Sequence, residues 1–196
     1  MEEKKKLGFL VSGRGSNLQA VLDAIAAGVL NADAAIVISN SSKAEALRRA
    51  SLRGVPTAYL SSLTHPNEDL LDQAIRQALL SASVDIVVLA GYMKKLGPTT
   101  IAAYKDRIIN IHPSLLPKFG GQGMYGMNVH KAVVAAGETK TGVTVHLVDG
   151  EYDCGRILAQ RVVSVAPGDT AEDVAKNVLV VEHELLVSVL REFVIK

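Results

Sequence analysis

The sequence has one cysteine, almost no net charge and no long apolar run. A lone thiol, Cys154, excludes an internal disulfide and agrees with a reducing compartment. Basic residues number 21 against 20 acidic ones, a formal charge of +1, so no overall positive field gathers nucleic acid. No apolar stretch approaches the roughly 20 residues that a membrane span needs. The opening MEEKKK is charged and carries no signal-type apolar segment. No His-x-x-x-His spacing or carboxylate cluster suggests a metal site. There is no internal repeat, linker or low-complexity tract. These absences lead us to expect a cytoplasmic, soluble protein without metal, nucleic-acid or membrane partners. What remains is an ordinary globular composition, 48% hydrophobic and 21% charged, over 196 residues, which suits one domain.

The first half alternates strand-like and helix-like segments. Leu7–Ser12, Ala34–Ser39, Thr57–Leu60 and Val84–Ala90 read as strands, and the run Ile108–His112 supplies a fifth. Helical spacing of apolar residues predicts helices over Asn17–Ala27, Ala44–Leu52 and Asn67–Ser81. Such alternation, with nearly continuous apolar strands, predicts an α/β fold: an open, mostly parallel Rossmann-like sheet with helices on both faces. The second half differs. A helix is expected over Val129–Ala136. Thr141–Val148 and Arg156–Val165 alternate like an antiparallel pair, and Thr170–Phe193 reads as a long closing helix with Thr170 at its N-cap.

Two stretches carry chemistry. The first, Ser12-Gly13-Arg14-Gly15-Ser16-Asn17-Leu18, follows a strand and opens a helix, with Ser16 or Asn17 as the expected N-cap. Unpaired N–H groups there would hold an anion. The dinucleotide pattern fails, because its third glycine falls at Leu18 and the next strand ends in Ser39-Asn40 instead of an acid. No Gly-Lys-Ser/Thr follows, so a P-loop is excluded, and a monophosphate fits better.

The second stretch is Ile108-Ile109-Asn110-Ile111-His112, closed by Pro113 and Pro117. Strand alternation puts Asn110 and His112 on one face. An amide can donate to a developing oxyanion and an imidazole can carry a proton near neutral pH. A carboxylate to orient the ring is available in the loop Asp149–Gly155, where Asp153 is the preferred candidate over Asp149 and Glu151. Cys154 lacks a neighbouring base and reads as a small filler. His146, mid-strand on the same face as Thr144, reads as a packed, hydrogen-bonded residue.

Taken together, SGRGSNLQA at 12–20, VVLAGYMKKL at 87–96, INIHPSLLPKF at 109–119 and TGVTVHLVDGEYDCGRILAQ at 141–160 resemble the phosphoribosylglycinamide formyltransferase family. The resemblance runs over nearly the whole chain. It implies formyl transfer from 10-formyltetrahydrofolate, a co-substrate, to the amine of glycinamide ribonucleotide in purine synthesis, by a monomer or homodimer acting on small molecules. It implies catalytic roles for Asn110, His112 and Asp153, with protonated His112 and Asn110 holding the oxyanion. Gly15, Ser16 and Asn17 match the phosphate turn, and Glu182 matches the acid on the ribose. The pterin pocket maps to Met93, Lys94, Lys95 and Leu96, with Val148, Asp149, Gly150 and Glu151. One domain spans 1–196: a phosphate-binding half over about 1–112 and a folate-site and closing-helix half over about 113–196. There are departures. Asn67, Glu68 and Asp69 stand where some members carry a phosphate-contacting base, leaving the turn itself, Arg14 or Lys176 for that task. The stretch GGQGMYGMN at 120–128 is a longer form of a loop and is expected to act as a mobile lid. Arg156 stands where proline commonly follows the glycine. Competing readings are a formyltetrahydrofolate hydrolase, a formyltransferase for another amine, and a non-catalytic phosphate-binding module. The tRNA-specific transferase would need an RNA-binding domain and positive charge not seen in this sequence.

Overall fold

A computed structural model describes residues 4–195; Met1, Glu2, Glu3 and Lys196 lie outside the described residues. Seven strands form one sheet in the order β3-β2-β1-β4-β5-β6-β7. They are β1 (Lys5–Val11), β2 (Ala32–Ser39), β3 (Thr57–Tyr59), β4 (Ile86–Leu89), β5 (Ile108–His112), β6 (Lys140–Leu147) and β7 (Ile157–Ser164). The first five run parallel, while β6 is antiparallel to both β5 and β7. The expected mixed α/β architecture is therefore present, with its antiparallel character beginning already at the β5–β6 seam.

The helices are α1 (Ser16–Ala26), α2 (Glu45–Leu52), α3 (Glu68–Ser81), α4 (Pro98–Ala103), α5 (Met127–Ala135) and α6 (Ala171–Val194). Strand alternation divides the apolar residues between two faces. Leu7, Phe9, Val11, Ile109 and Ile111 pack with α1, α2, α5 and α6, including Leu18, Val21, Leu186 and Leu190. Leu10, Ile38, Val87 and Ile108 pack with Ile75 and Leu79 of α3 and with Tyr104 after α4. Helices thus cover both faces, which is why the parallel strands are apolar throughout. The six-residue α4 has no counterpart among the sequence expectations, and its support comes from α3, described below.

The long α6 starts with a reciprocal cap. Thr170 Oγ1 accepts from Asp173 N at 3.2 Å, and Thr170 N donates to the Asp173 carboxylate at 3.0 Å. Its buried stripe runs Val174, Val178, Glu182, Leu185, Leu186 and Val189, so an acid occupies an otherwise apolar seam. Thr170→Ala removes the cap and is expected to cost about 1 kcal/mol. Urea unfolding should show a lower midpoint with unchanged slope; an unchanged midpoint would mean that the cap contributes nothing.

Candidate active site

The strand order reverses between β1 and β4, and ligands of open α/β sheets bind at such a switch point. The loops leaving these two strands are tied together. Ser12 N donates to Gly91 O at 3.1 Å, and Met93 N donates to Ser12 Oγ at 2.8 Å. A cavity of about 700 Å³ opens here.

On one side lies the start of α1. Its N-cap is Gly15, at φ 71°, with no side-chain capping bond, which corrects the expected Ser16 or Asn17 cap. A side chain at Gly15 would be strained by that angle, and its Cβ would fall 2.5 Å from Ala46 Cβ. The uncapped first turn leaves N–H groups for a ligand. Arg14, Ser16 and Asn17 line the cavity, whereas Gly15 shapes the turn from behind and Lys176 is not part of the lining. Glu182 of α6 faces the same region, and its carboxyl is pushed up to about 7 by burial, against a lowering hydrogen bond from Asn17. Asn67 does not contact this region; it caps α3 by accepting from Leu70 N at 3.0 Å.

On the other side, Asn110, His112 and Asp153 meet. Antiparallel register sets Asn110 opposite His146 and His112 opposite Thr144, so all four share one face of the β5–β6 ribbon. The loop after β6 folds back over this face. Asp153 Oδ2 lies 3.5 Å from His112 Nδ1 and accepts from Gly121 N at 2.8 Å. Asp153 Oδ1 lies 3.6 Å from His146 Nε2 and 3.5 Å from Asn110 Nδ2. Asp153 has φ 56°, a left-handed conformation that a non-glycine residue holds only under surrounding constraint.

The network assigns the ring protons. His146 Nδ1 donates to its neighbour Leu147 O at 2.8 Å, leaving Nε2 to accept from Asn110 Nδ2 at 3.0 Å. The asparagine amide is thereby fixed with its nitrogen facing Asp153 and the cavity. His112 Nε2 donates to Phe119 O at 2.8 Å, leaving Nδ1 toward Asp153. Burial holds the His112 pKa below its ordinary value, although the charge of Asp153 pulls the other way. Burial thus favours the neutral form of the resting ring. Burial also opposes ionisation of Asp153. The neighbouring His146 and His112 rings and the Gly121 N–H outweigh it, and the carboxyl titrates below its usual value.

The prolines are not the only restraint on the loop after His112. Thr144 Oγ1 donates to Ser114 O at 2.7 Å and accepts from Leu116 N at 3.0 Å and from Gln160 Nε2 at 2.9 Å. Its one proton and two lone pairs are all used. This buried hydroxyl stitches the loop to β6 and β7 and so holds the Phe119 carbonyl against His112.

Among the expected folate-site residues, Met93, Lys94, Lys95, Leu96, Val148, Gly150 and Glu151 line the cavity. Asp149 does not; its carboxylate turns into its own loop and accepts from Glu151 N at 3.4 Å. The two walls meet at the rim, where Lys95 Nζ lies 3.6 Å from Glu151 and 5.7 Å from the centre of the Tyr152 ring. Sequence reasoning missed Tyr92, Ile101, His130 and Tyr152 as lining residues, and it treated His146 as mere packing. His130 is buried, with Nδ1 unpartnered. Among the described residues, no group of three His, Cys, Asp or Glu could hold a metal ion. No described helix is long and apolar enough to cross a membrane.

A doubly wound sheet with its cleft at the switch point, floored by an amide, two imidazoles and a carboxylate, defines the class of this protein. Residues 5–190 match the family described as formyl transferase, and the chain belongs to that family. It is 44% identical over 187 residues to the chloroplastic phosphoribosylglycinamide formyltransferase of Vigna unguiculata, covering 95% of this chain and 60% of that protein. Against the phosphoribosylglycinamide formyltransferase of Haemophilus influenzae, identity is 39% over 96% of this chain and 87% of the relative. The crystal structure of glycinamide ribonucleotide transformylase 1 from Geobacillus kaustophilus superposes with a TM-score of 0.91 at 38% identity, covering 98% and 100% of the two chains.

The electrostatics of the cluster can be tested by NMR titration of the imidazoles. His112 should titrate below 6.5. The charge of Asp153 raises that pKa, so Asp153→Asn should lower it further. A rise in the variant would contradict the described coupling.

Proposed function

We propose that this chain transfers the formyl group of 10-formyltetrahydrofolate to the amine of N1-(5-phospho-D-ribosyl)glycinamide, in the cytoplasm, as a step of purine synthesis. The observation that carries the reading is the convergence of Asn110, His112 and Asp153 on one cavity, in a chain of the formyl transferase family. The names of the relatives at 44% and 39% identity support the same formyl acceptor. Residues 1–112 act as the phosphate-binding half of one domain, and 113–196 as its folate-site and closing-helix half.

The phosphate rests on the uncapped first turn of α1, formed by Gly15, Ser16 and Asn17, with Arg14 at the rim; Glu182 takes the ribose hydroxyls. The pterin lies between the 93–96 and 148–151 segments, and the glycine-rich stretch 120–128 closes over it. The amine nitrogen attacks the formyl carbon, and the carbonyl oxygen becomes an oxyanion. One Asn110 N–H is held by His146; the other, only loosely directed at Asp153, turns to that oxygen. His112 takes at Nδ1, through water, the proton that the attacking nitrogen releases, with Asp153 placed to stabilise the imidazolium. The bond from carbon to N10 of the folate then breaks. The same proton passes from His112, along Asp153 and water, to N10, so the amine has lost one proton and the folate has gained one. Electrostatic stabilisation of this kind is large because the donors are already fixed and partly shielded from solvent.

Turnover with both substrates, run beside a water-only control, tests the reading. Transfer should require the amine. Equal formyl release without it would point to a hydrolase. Asn110→Ala and His112→Ala should each lower kcat by roughly a hundred- to a thousand-fold; near-normal turnover in both would remove the assignment.

A second measurement addresses Glu182. With its carboxyl titrating at about 7, KM for the ribonucleotide should fall as pH rises through that value and the ionised acid accepts two hydroxyl bonds. The substrate's own phosphate titrates near pH 6, so the comparison is with Glu182→Gln, in which the limb near 7 should vanish. A limb that persists in the variant would place the titration elsewhere.

A further inference from the structure

Asp72 sits in the second turn of α3, and it is only 5% exposed. A buried carboxylate needs partners. This one has four donors, all from the first turn of α4. Oδ2 accepts from Thr99 N at 2.7 Å and Thr99 Oγ1 at 2.5 Å. Oδ1 accepts from Thr100 N at 3.1 Å and Thr100 Oγ1 at 2.5 Å.

These positions matter. The N-cap of α4 is Gly97, which has no side chain to cap with, and Pro98 at the next position has no N–H. Thr99 and Thr100 therefore carry the first unsatisfied N–H groups of the helix. Asp72 satisfies both, performing from a different helix the task usually done by a capping side chain. Its negative charge also faces the positive end of the helix. Burial opposes the charge, but the Thr100 and Thr99 bonds outweigh it, and the carboxyl titrates below its ordinary value. Gly97 is required for this approach: a Cβ there would fall 2.2 Å from Asp72 Cγ. Six residues are too few to hold a helix by local propensity.

The cavity lies on the other side of this joint. Leu96, immediately before Gly97, and Ile101, immediately after Thr100, both line it, and Leu96 is 5% exposed. Tyr92 lines it as well, and its phenol is pushed up to about 12 by burial and by the charge of Asp72.

We propose that Asp72 is a positioning residue for the folate co-substrate: by capping α4 from α3, it holds Leu96 and Ile101 in place as the wall against which the pterin packs. The inference rests on the functional reading above. The described bonds of the Asp72 carboxylate go to Thr99 and Thr100, not to Asn110, His112 or Asp153.

The consequence is a split between kinetic constants. If the wall is formed only a tenth of the time, apparent affinity for the ligand that needs it falls about ten-fold. Asp72→Asn keeps the shape but replaces two acceptor sites with donors. It should raise KM for 10-formyltetrahydrofolate by about ten-fold or more, and leave kcat and KM for the ribonucleotide within about two-fold. Amide hydrogen exchange at 99–103 should accelerate while exchange in β1 and β4 stays slow. Thr100→Val, which removes one hydroxyl donor, should move the same constant less, and Thr100→Ser should restore wild-type values.

Hydrogen exchange that accelerates with KM for the folate unchanged would overturn the proposal. So would a fall in kcat with a rise in both KM values, which marks a general structural role. Tetrahydrofolate binding by calorimetry needs no turnover and separates the two readings. Wild-type protein that binds but does not transfer would sink only the functional reading, and wild-type protein that binds no folate would overturn both.

Discussion

An ionised carboxylate held out of water is the constraint around which the site is built. Asp153 accepts from the Gly121 N–H and faces the Asn110 amide nitrogen, with two imidazoles beside it, on a backbone in a left-handed conformation. Leaving such a charge without partners would cost far more than any one of these contacts contributes. The loop after β6 must therefore stay folded back over β5 and β6, the 120s segment must present Gly121, and both histidines must keep their tautomers. Each requirement is met by a backbone group: Phe119 O for His112, Leu147 O for His146. Because the partners are main chain or buried side chains, their arrangement exists before any substrate arrives.

The sheet topology makes this arrangement possible. A β6 running parallel to β5 would pair its residues in the opposite order, and Asn110 and His112 would not meet His146 and Thr144 in this register. The reversal at β6 sets it: Asn110 pairs with His146 and His112 with Thr144. In each pair the β6 residue supports the β5 side. His146 orients the Asn110 amide, and Thr144 anchors the loop that presents a carbonyl to His112.

Much of this was legible from residues alone. The apolar strands, the amphipathic helices and the Thr170 cap follow local patterns, and the N-x-H alternation placed Asn110 and His112 on one face. What escaped was non-local. His146 sits in a strand that alternates like any other, and its pairing with Asn110 depends on a register across 36 residues of chain. The helix α4 escaped because its cap comes from Asp72, 27 residues upstream of Thr99. Gly15 replaced the expected serine or asparagine cap because Ala46 packs against it, a contact that no local window contains. Asp149 looked equivalent to its loop neighbours, yet its carboxylate serves the turn itself. Glu182 was reached only through the family resemblance, and its place in the apolar stripe of α6 emerges from the structure.

The bonds joining Ser12 to Gly91 and Met93 bridge the two loops at the centre of the sheet. One loop belongs to the glycine turn that opens α1 and the other begins the opposite wall of the same cavity. Their lengths are therefore not independent. A residue inserted in either would shift Ser12 out of register with Met93, so the two segments can drift in composition but must keep their spacing together. The bridge acts as a ruler laid across two neighbouring parts of the cavity, and it fixes the distance between them.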